Sequence, residues 1–127
     1  MGDRFMKKYF LCKKCGNFAG MLSNSGIPMQ CCGQPMTELV PSREESGAEK
    51  HLPSVEIDGD TVKVSVGAQL HPMTPEHFIQ WVYLETAKGG QRKKCGAYPQ
   101  VEFKLVDDRP IAVYAYCNLH GLWVTKL

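Results

Sequence analysis

In Val55-Glu56-Ile57-Asp58-Gly59-Asp60-Thr61-Val62-Lys63-Val64-Ser65-Val66, apolar side chains fall at every second position on both sides of an acidic, glycine-containing turn. Successive side chains of a strand point to opposite faces, so a period of two marks a strand with one covered face. Asp-Gly between two such runs signals a hairpin, because glycine supplies the positive φ that a tight turn requires. The pattern continues toward the C-terminus. Val101 to Leu105 alternates cleanly, and Ile111 to Cys117 and Leu122 to Lys126 form a pair joined by a short turn at Asn118–Gly121. Phe78 to Glu85 is apolar at both odd and even positions, which predicts a strand covered on both faces and ended by Gly89-Gly90. Residues 51–127 are therefore expected to form an antiparallel β-sandwich of about seven strands.

The N-terminal third has a different composition. Residues 1–38 are poor in apolar bulk and crowded with Cys, Gly and Lys. A segment of this size cannot bury enough surface to fold on that alone, and a bound metal would staple it. Residues 39–50, Leu-Val-Pro-Ser-Arg-Glu-Glu-Ser-Gly-Ala-Glu-Lys, have no periodicity and read as a linker. With 43% hydrophobic and 22% charged residues, the whole chain has the composition of a folded globular protein rather than a disordered one. The net charge of +2 is too small to argue for nucleic acid. Met1 to Cys15 is too charged for a signal core, and no apolar run approaches membrane length. A cytoplasmic location without membrane attachment is expected. In a reducing cytoplasm the six cysteines are metal ligands before they are disulfides.

Four of them fall into a ligand pattern. Cys12-Lys13-Lys14-Cys15-Gly16 is a metal knuckle: two intervening residues let both sulfurs reach one ion, and the glycine permits the tight turn. Cys31 and Cys32 are adjacent, so they share an ion only if the backbone bends, and Gly33 and Pro35 offer the turn chemistry for that. Four thiolates satisfy zinc and mononuclear iron alike. A thioredoxin-type Cys12–Cys15 disulfide lacks its βαβ context.

The chain has four histidines, and each lies near an expected strand end or turn: His51, His71, His77 and His120. Cys117-Asn-Leu-His120 has the spacing of a ligand pair, and imidazole with thiolate suits zinc, copper or iron. Zinc would leave one of the five groups idle. Blue copper, with Met73 as a weak fourth ligand, would leave two histidines unused. Five strong ligands fit an iron with one open position.

These residues resemble the desulfoferrodoxin family, the two-iron class of superoxide reductase. The resemblance rests on Cys12-x-x-Cys15 with Cys31-Cys32, on Glu49-Lys50-His51-x-Pro53, on His71-Pro72-Met73-x-x-x-His77, and on Cys117-Asn118-x-His120-Gly121-Leu122-Trp123. It covers nearly the whole chain. It implies a desulforedoxin-like module over residues 1–38 and an immunoglobulin-like sandwich over 51–127. It also implies two mononuclear irons: one on Cys12, Cys15, Cys31 and Cys32, where zinc remains compatible, and a catalytic one on His51, His71, His77 and His120 with Cys117 as axial thiolate. The implied reaction is one-electron reduction of superoxide to hydrogen peroxide, with electrons from a rubredoxin-like donor. Glu49 would be the carboxylate that fills the open position in the oxidised resting state. Lys50 would be the cation that attracts superoxide and helps protonate the product. A homodimer is expected from the same likeness. Cys95, in Arg92-Lys93-Lys94-Cys95-Gly96, has no ligand role in the family and reads first as an inert or partly exposed thiol; the alternative is that its basic neighbours lower its pKa and make it prone to oxidation. Two other classes compete with this reading. A blue-copper electron carrier would be intensely coloured, and a nucleic-acid-binding zinc ribbon would be colourless with salt-sensitive binding.

Overall fold

A computed structural model of the chain describes residues 8–42, 51–67 and 71–127. It separates into two compact units, Met1–Val40 and Pro41–Leu127. All twelve elements assigned among the described residues are strands.

The first unit is made of short pieces. β1 (Tyr9–Leu11) lies between β2 (Phe18–Gly20) and β5 (Thr37–Leu39), antiparallel to both. A separate hairpin pairs β3 (Gln30–Cys31) with β4 (Gln34–Pro35). Its two central residues, Cys32 and Gly33, have φ of 53° and 76°. Positive φ at both positions is the type I′ turn, whose twist matches that of the flanking strands. Tyr9 and Phe18 meet edge to face at 6.0 Å.

The second unit holds seven strands in two sheets. One sheet has the order β10-β7-β6, with β6 Pro53–Asp58, β7 Thr61–Val66 and β10 Gln100–Lys104. The other has the order β12-β11-β8-β9, with β8 Ile79–Thr86, β9 Gly89–Lys94, β11 Pro110–Cys117 and β12 Gly121–Lys126. Asp58 pairs with Thr61 around Gly59, whose φ is 62°, so the hairpin expected at Asp58-Gly59-Asp60 closes with a two-residue turn. Val62, Val64 and Val66 point inward from β7. There they meet Phe103 of β10 and, from the facing sheet, Val82, Leu84, Val113 and Ala115. These inner faces form the core of an antiparallel sandwich.

Both open sides of the sandwich are laced by side chains. Thr125 Oγ1–H donates to Pro53 O at 2.7 Å on one side. On the other, Gln91 Nε2 donates to Lys104 O at 2.7 Å and Lys93 Nζ to Glu102 O at 2.5 Å. The last two bonds come from a strand the sequence reading omits. Gly89-Gly90 was expected to end β8, but it opens β9, which pairs with β8 from Thr86↔Gly89 to Trp81↔Lys94. β9 is a polar edge strand with no apolar alternation, so periodicity does not reveal it. Gly90 is needed where it stands, since a Cβ there would lie 2.1 Å from the Tyr83 hydroxyl oxygen.

Of the expected linker 39–50, Leu39 belongs to β5. Ser42 is paired beside Trp123 of β12, its N–H donating to Leu122 O at 2.9 Å. Residues 43–50 lie outside the described residues.

Candidate metal centres

Strand registers explain why the histidines meet. Pro53 pairs with Val66, Ile79 with Cys117, and Cys117 with Gly121. The start of β6, the end of β7, the start of β8, the end of β11 and the start of β12 thus share one end of the sandwich. His51, His71, His77, Cys117 and His120 are carried at those five places. One candidate ligand atom from each lies within 4.8 Å of all the others. A β-bulge aids the convergence: Tyr116 pairs with Trp81 but Cys117 with Ile79, leaving Gln80 as the extra residue. Bulges beside functional sites re-aim the side chains that follow them.

The rings stand in cyclic order. Neighbouring centroids are 4.9 Å apart for His51–His71, 4.5 Å for His71–His77, 4.9 Å for His77–His120 and 4.7 Å for His120–His51. The diagonal His51–His77 is 6.4 Å, in the proportion of a near-square. Each ring is turned 65–79° to its neighbours, so nitrogens rather than faces point to a common centre. His51 Nε2 and His120 Nδ1 are 3.0 Å apart. Cys117 Sγ is 3.7 Å from His120 Nδ1. Cys117 is fully buried within the core cluster, whereas His77 is half-buried and His120 exposed. The sulfur therefore sits at the inner end of the cluster, and the outer end opens toward solvent.

Neighbouring groups fix how each nitrogen is offered. His71 Nδ1–H donates to Pro72 O at 2.7 Å, which leaves its Nε2 unprotonated and turned inward. Burial pulls the His71 pKa down to about 4, helped by the positive charge its histidine neighbours would carry and opposed by the Pro72 carbonyl. The ring is thus neutral at physiological pH, as a ligand must be. His51 stacks on Trp123 at 4.9 Å and 14°, and Trp123 Nε1 donates to His120 O at 3.1 Å. Nε2 of His71 and Nε2 of His77 are both buried without a hydrogen-bond partner. Buried ring nitrogens left unpaired are costly, and an ion at the common centre would satisfy both. The donor set of four imidazoles and one thiolate fits iron, zinc or copper by chemistry alone. Met73 stands outside it: its side chain packs on the core and its sulfur accepts the Ile79 N–H at 3.4 Å.

The second cluster belongs to the first unit. Cys12, Cys15, Cys31 and Cys32 likewise present sulfurs within 4.8 Å of one another. The knuckle closes with Gly16 N–H donating to Cys12 O at 2.8 Å, and Gly16 has φ 87°. The I′ turn brings both adjacent cysteines to the same point. Cys15 Sγ and Cys31 Sγ are 3.5 Å apart, all four thiols are free, and Asn17 Nδ2 lies 3.5 Å from Cys31 Sγ. The backbone N–H of Cys15, followed by that of Lys14, holds the Cys12 thiol down to about 6. Hydrogen bonding to Cys15, and then to Cys12, raises Cys31 and pushes Cys32 up to about 12. Crowded sulfurs that cannot all be thiolates suit a cation, which would release those protons.

Glu49 and Lys50 lie outside the described residues. Cys95 sides with the inert reading over the activated one. It is half-buried against the core, and burial pushes its thiol up to about 11, so the basic neighbours do not activate it. Sequence reasoning assigned no part to Asn118, whose amide bonds on both sides of His77, or to the ring of Trp123. An Asn in a tight turn was the available signal for the first. No helix among the described residues is long and apolar enough to cross a membrane.

Comparison with known proteins finds relatives over most of the chain. The family model described as desulfoferrodoxin matches residues 43–126. A desulfoferrodoxin homolog of Archaeoglobus fulgidus is 38% identical over 116 residues, covering 90% of this chain and 92% of the relative. A superoxide reductase of Thermococcus kodakarensis is 36% identical, covering 72% of this chain and 96% of the relative. The crystal structure of the superoxide reductase from Treponema pallidum superposes with a TM-score of 0.82 at 38% identity, covering 96% of this chain and 99% of that one.

Proposed function

The chain belongs to the desulfoferrodoxin family, and from that premise we propose that it is a superoxide reductase acting at an iron held by His51, His71, His77, His120 and Cys117. The carrying observation is the near-square of four rings with a buried thiol at the inner end and one side left open. The reaction consumes one superoxide, one electron and two protons and yields one hydrogen peroxide. Bound iron would supply the electron at the open side of the cluster.

The chain's own groups shape the rest. As metal ligands the four imidazoles would be neutral, so Cys117 would be the anionic donor of the set. Its sulfur is fully buried in the core, where a thiolate charge would be poorly screened and would favour electron release toward the open side. Pro72 O and Trp123 hold rings in place, so little reorganisation accompanies turnover. Lys50 is assigned to attract the superoxide anion and help protonate the product, and Glu49 to occupy the open side between turnovers, both by their place beside His51. Cys12, Cys15, Cys31 and Cys32 are assigned a second iron, electrons are assigned to a rubredoxin-like donor, and the working form is a homodimer in the cytoplasm. One zinc per chain beside one iron would refute iron at the four cysteines.

Pulse radiolysis of the reduced protein tests the reaction. Fast loss of superoxide with release of peroxide and no dioxygen is expected. Full reactivity in Cys117→Ser would refute the thiolate's part.

A further inference from the structure

The three bonds that Asn118 makes land on the two residues flanking His77. Phe78 N–H donates to Asn118 Oδ1 at 2.9 Å. Asn118 Nδ2–H donates to Glu76 O at 3.0 Å. The Asn118 backbone N–H donates to Phe78 O at 3.2 Å. Asn118 itself follows Cys117 and stands two residues before His120. The last ladder pair of β8 and β11 is Ile79↔Cys117, so the strands have ended where these bonds begin. A side-chain amide takes over from the backbone ladder there.

His77 has particular need of such support. His71 is tied through its ring to Pro72 O, and His51 is stacked on Trp123. His77 Nε2 is buried and makes no hydrogen bond, so the backbone that carries the ring sets its aim. Thr74 secures that backbone from one side, with Thr74 N–H to His77 O at 3.0 Å and His77 N–H to Thr74 O at 3.2 Å. The other side is secured by Asn118. Only an amide offers an acceptor and a donor on one short planar group; aspartate offers acceptors alone, and alanine neither.

We propose that Asn118 is a positioning residue: it clasps the loop carrying His77 to the turn carrying Cys117 and His120, and so places the His77 nitrogen at the common centre. This rests on the reading of the five residues as one metal centre. Partners that orient a ligand without touching the metal typically contribute about 10–100-fold in metal affinity.

A double-mutant cycle on the full chain separates the two claims. Ferrous-iron affinity of the His/Cys centre is measured anaerobically by chelator competition in the parent, His77→Ala, Asn118→Ala and the double variant. Asn118→Ala should weaken binding by about 10–100-fold in the parent. In the His77→Ala background it should change affinity by no more than about twofold, the scatter of independent sites. An equal loss in both backgrounds would overturn the proposal, as would no loss in the parent. If His77→Ala itself leaves affinity unchanged, the metal-centre reading fails instead. Asn118→Asp keeps the size and the bond from Phe78 N–H and covers the case of an alanine variant that does not fold. Its added negative charge would by itself tighten a cation, so a loss there, again confined to the parent background, is the stricter support; no loss or tighter binding there overturns the clasp.

Discussion

Around the four cysteines, Tyr9 and Cys12 are the buried apolar side chains among the described residues. Around the four histidines, Cys117 is itself a member of a core drawn from β7, β8, β10 and β11. The two clusters bring equally close ligand atoms together by opposite means. In the first unit the strands are two or three residues long, and turns at Gly16 and Cys32-Gly33 do the positioning. In the second, strands of five to eight residues fix a rigid end, and the ligands are carried on it. Where little surface is buried, metal binding is folding free energy; where a core exists already, metal completes a site that is largely formed.

Metal removal should show this contrast at its largest. Under reducing conditions a strong chelator should abolish hydrogen-exchange protection of amides in β1, β2 and β5, while β7, β8 and β11 stay protected. Protection lost in both units, or kept in both, would break the contrast. A core cavity should come next. Phe103 is 1% exposed between the sheets, and Phe103→Ala should cost about 3–5 kcal/mol, read from denaturant unfolding of the metal-free protein. Phe18→Ala, at a half-buried ring in the first unit, should disturb the metal-loaded protein less, because thiolate–metal bonds rather than packing hold that unit.

What was legible in the sequence follows the same division. The β6–β7 hairpin shows because its inner face is apolar and its outer face is not, so Val62, Val64 and Val66 announce themselves. β9 does not show, because its exposed GGQRKK has no covered face and its place is set by Tyr83 over Gly90 and by lysine and glutamine reaching across to β10. The knuckle and the adjacent cysteine pair are local patterns and could be read directly. That His51, His71 and His77 come together with Cys117 and His120 depends on strand registers across two sheets, which no local window carries; their places at strand ends and turns suggested one site, and the resemblance supplied the ligand set. Which nitrogen each ring turns inward depends on single partners such as Pro72 O and is absent from the sequence altogether. For Cys95 the sequence leaves an inert and an activated thiol both open, and the structure favours the inert one: the charged neighbours are on an exposed strand, while the Cys95 side chain packs on the core.

A pH titration should expose the subtlest part of the contrast. His71 is 2% exposed, and burial lowers its pKa from 6.5 to about 4. In the metal-free protein the unfolded chain therefore takes up a proton through the upper end of that window, while the native sandwich refuses it until the lower end. More protons on the unfolded state means that stability rises with pH; the contribution of a neutral His71 is complete above about pH 6.5 and is lost as pH falls toward about 4. One proton corresponds to a slope of at most about 1.4 kcal/mol per pH unit. His71→Asn, whose amide N–H can replace the donor to Pro72 O, should remove that much of the slope between those limits, and an unchanged slope would mean that the ring is not held neutral by the fold. In the first unit the same fall in pH should act on metal uptake instead: with Cys31 and Cys32 held above the usual thiol range, binding there must displace protons and should weaken steadily as the solution is acidified, with no accompanying transition in the sandwich.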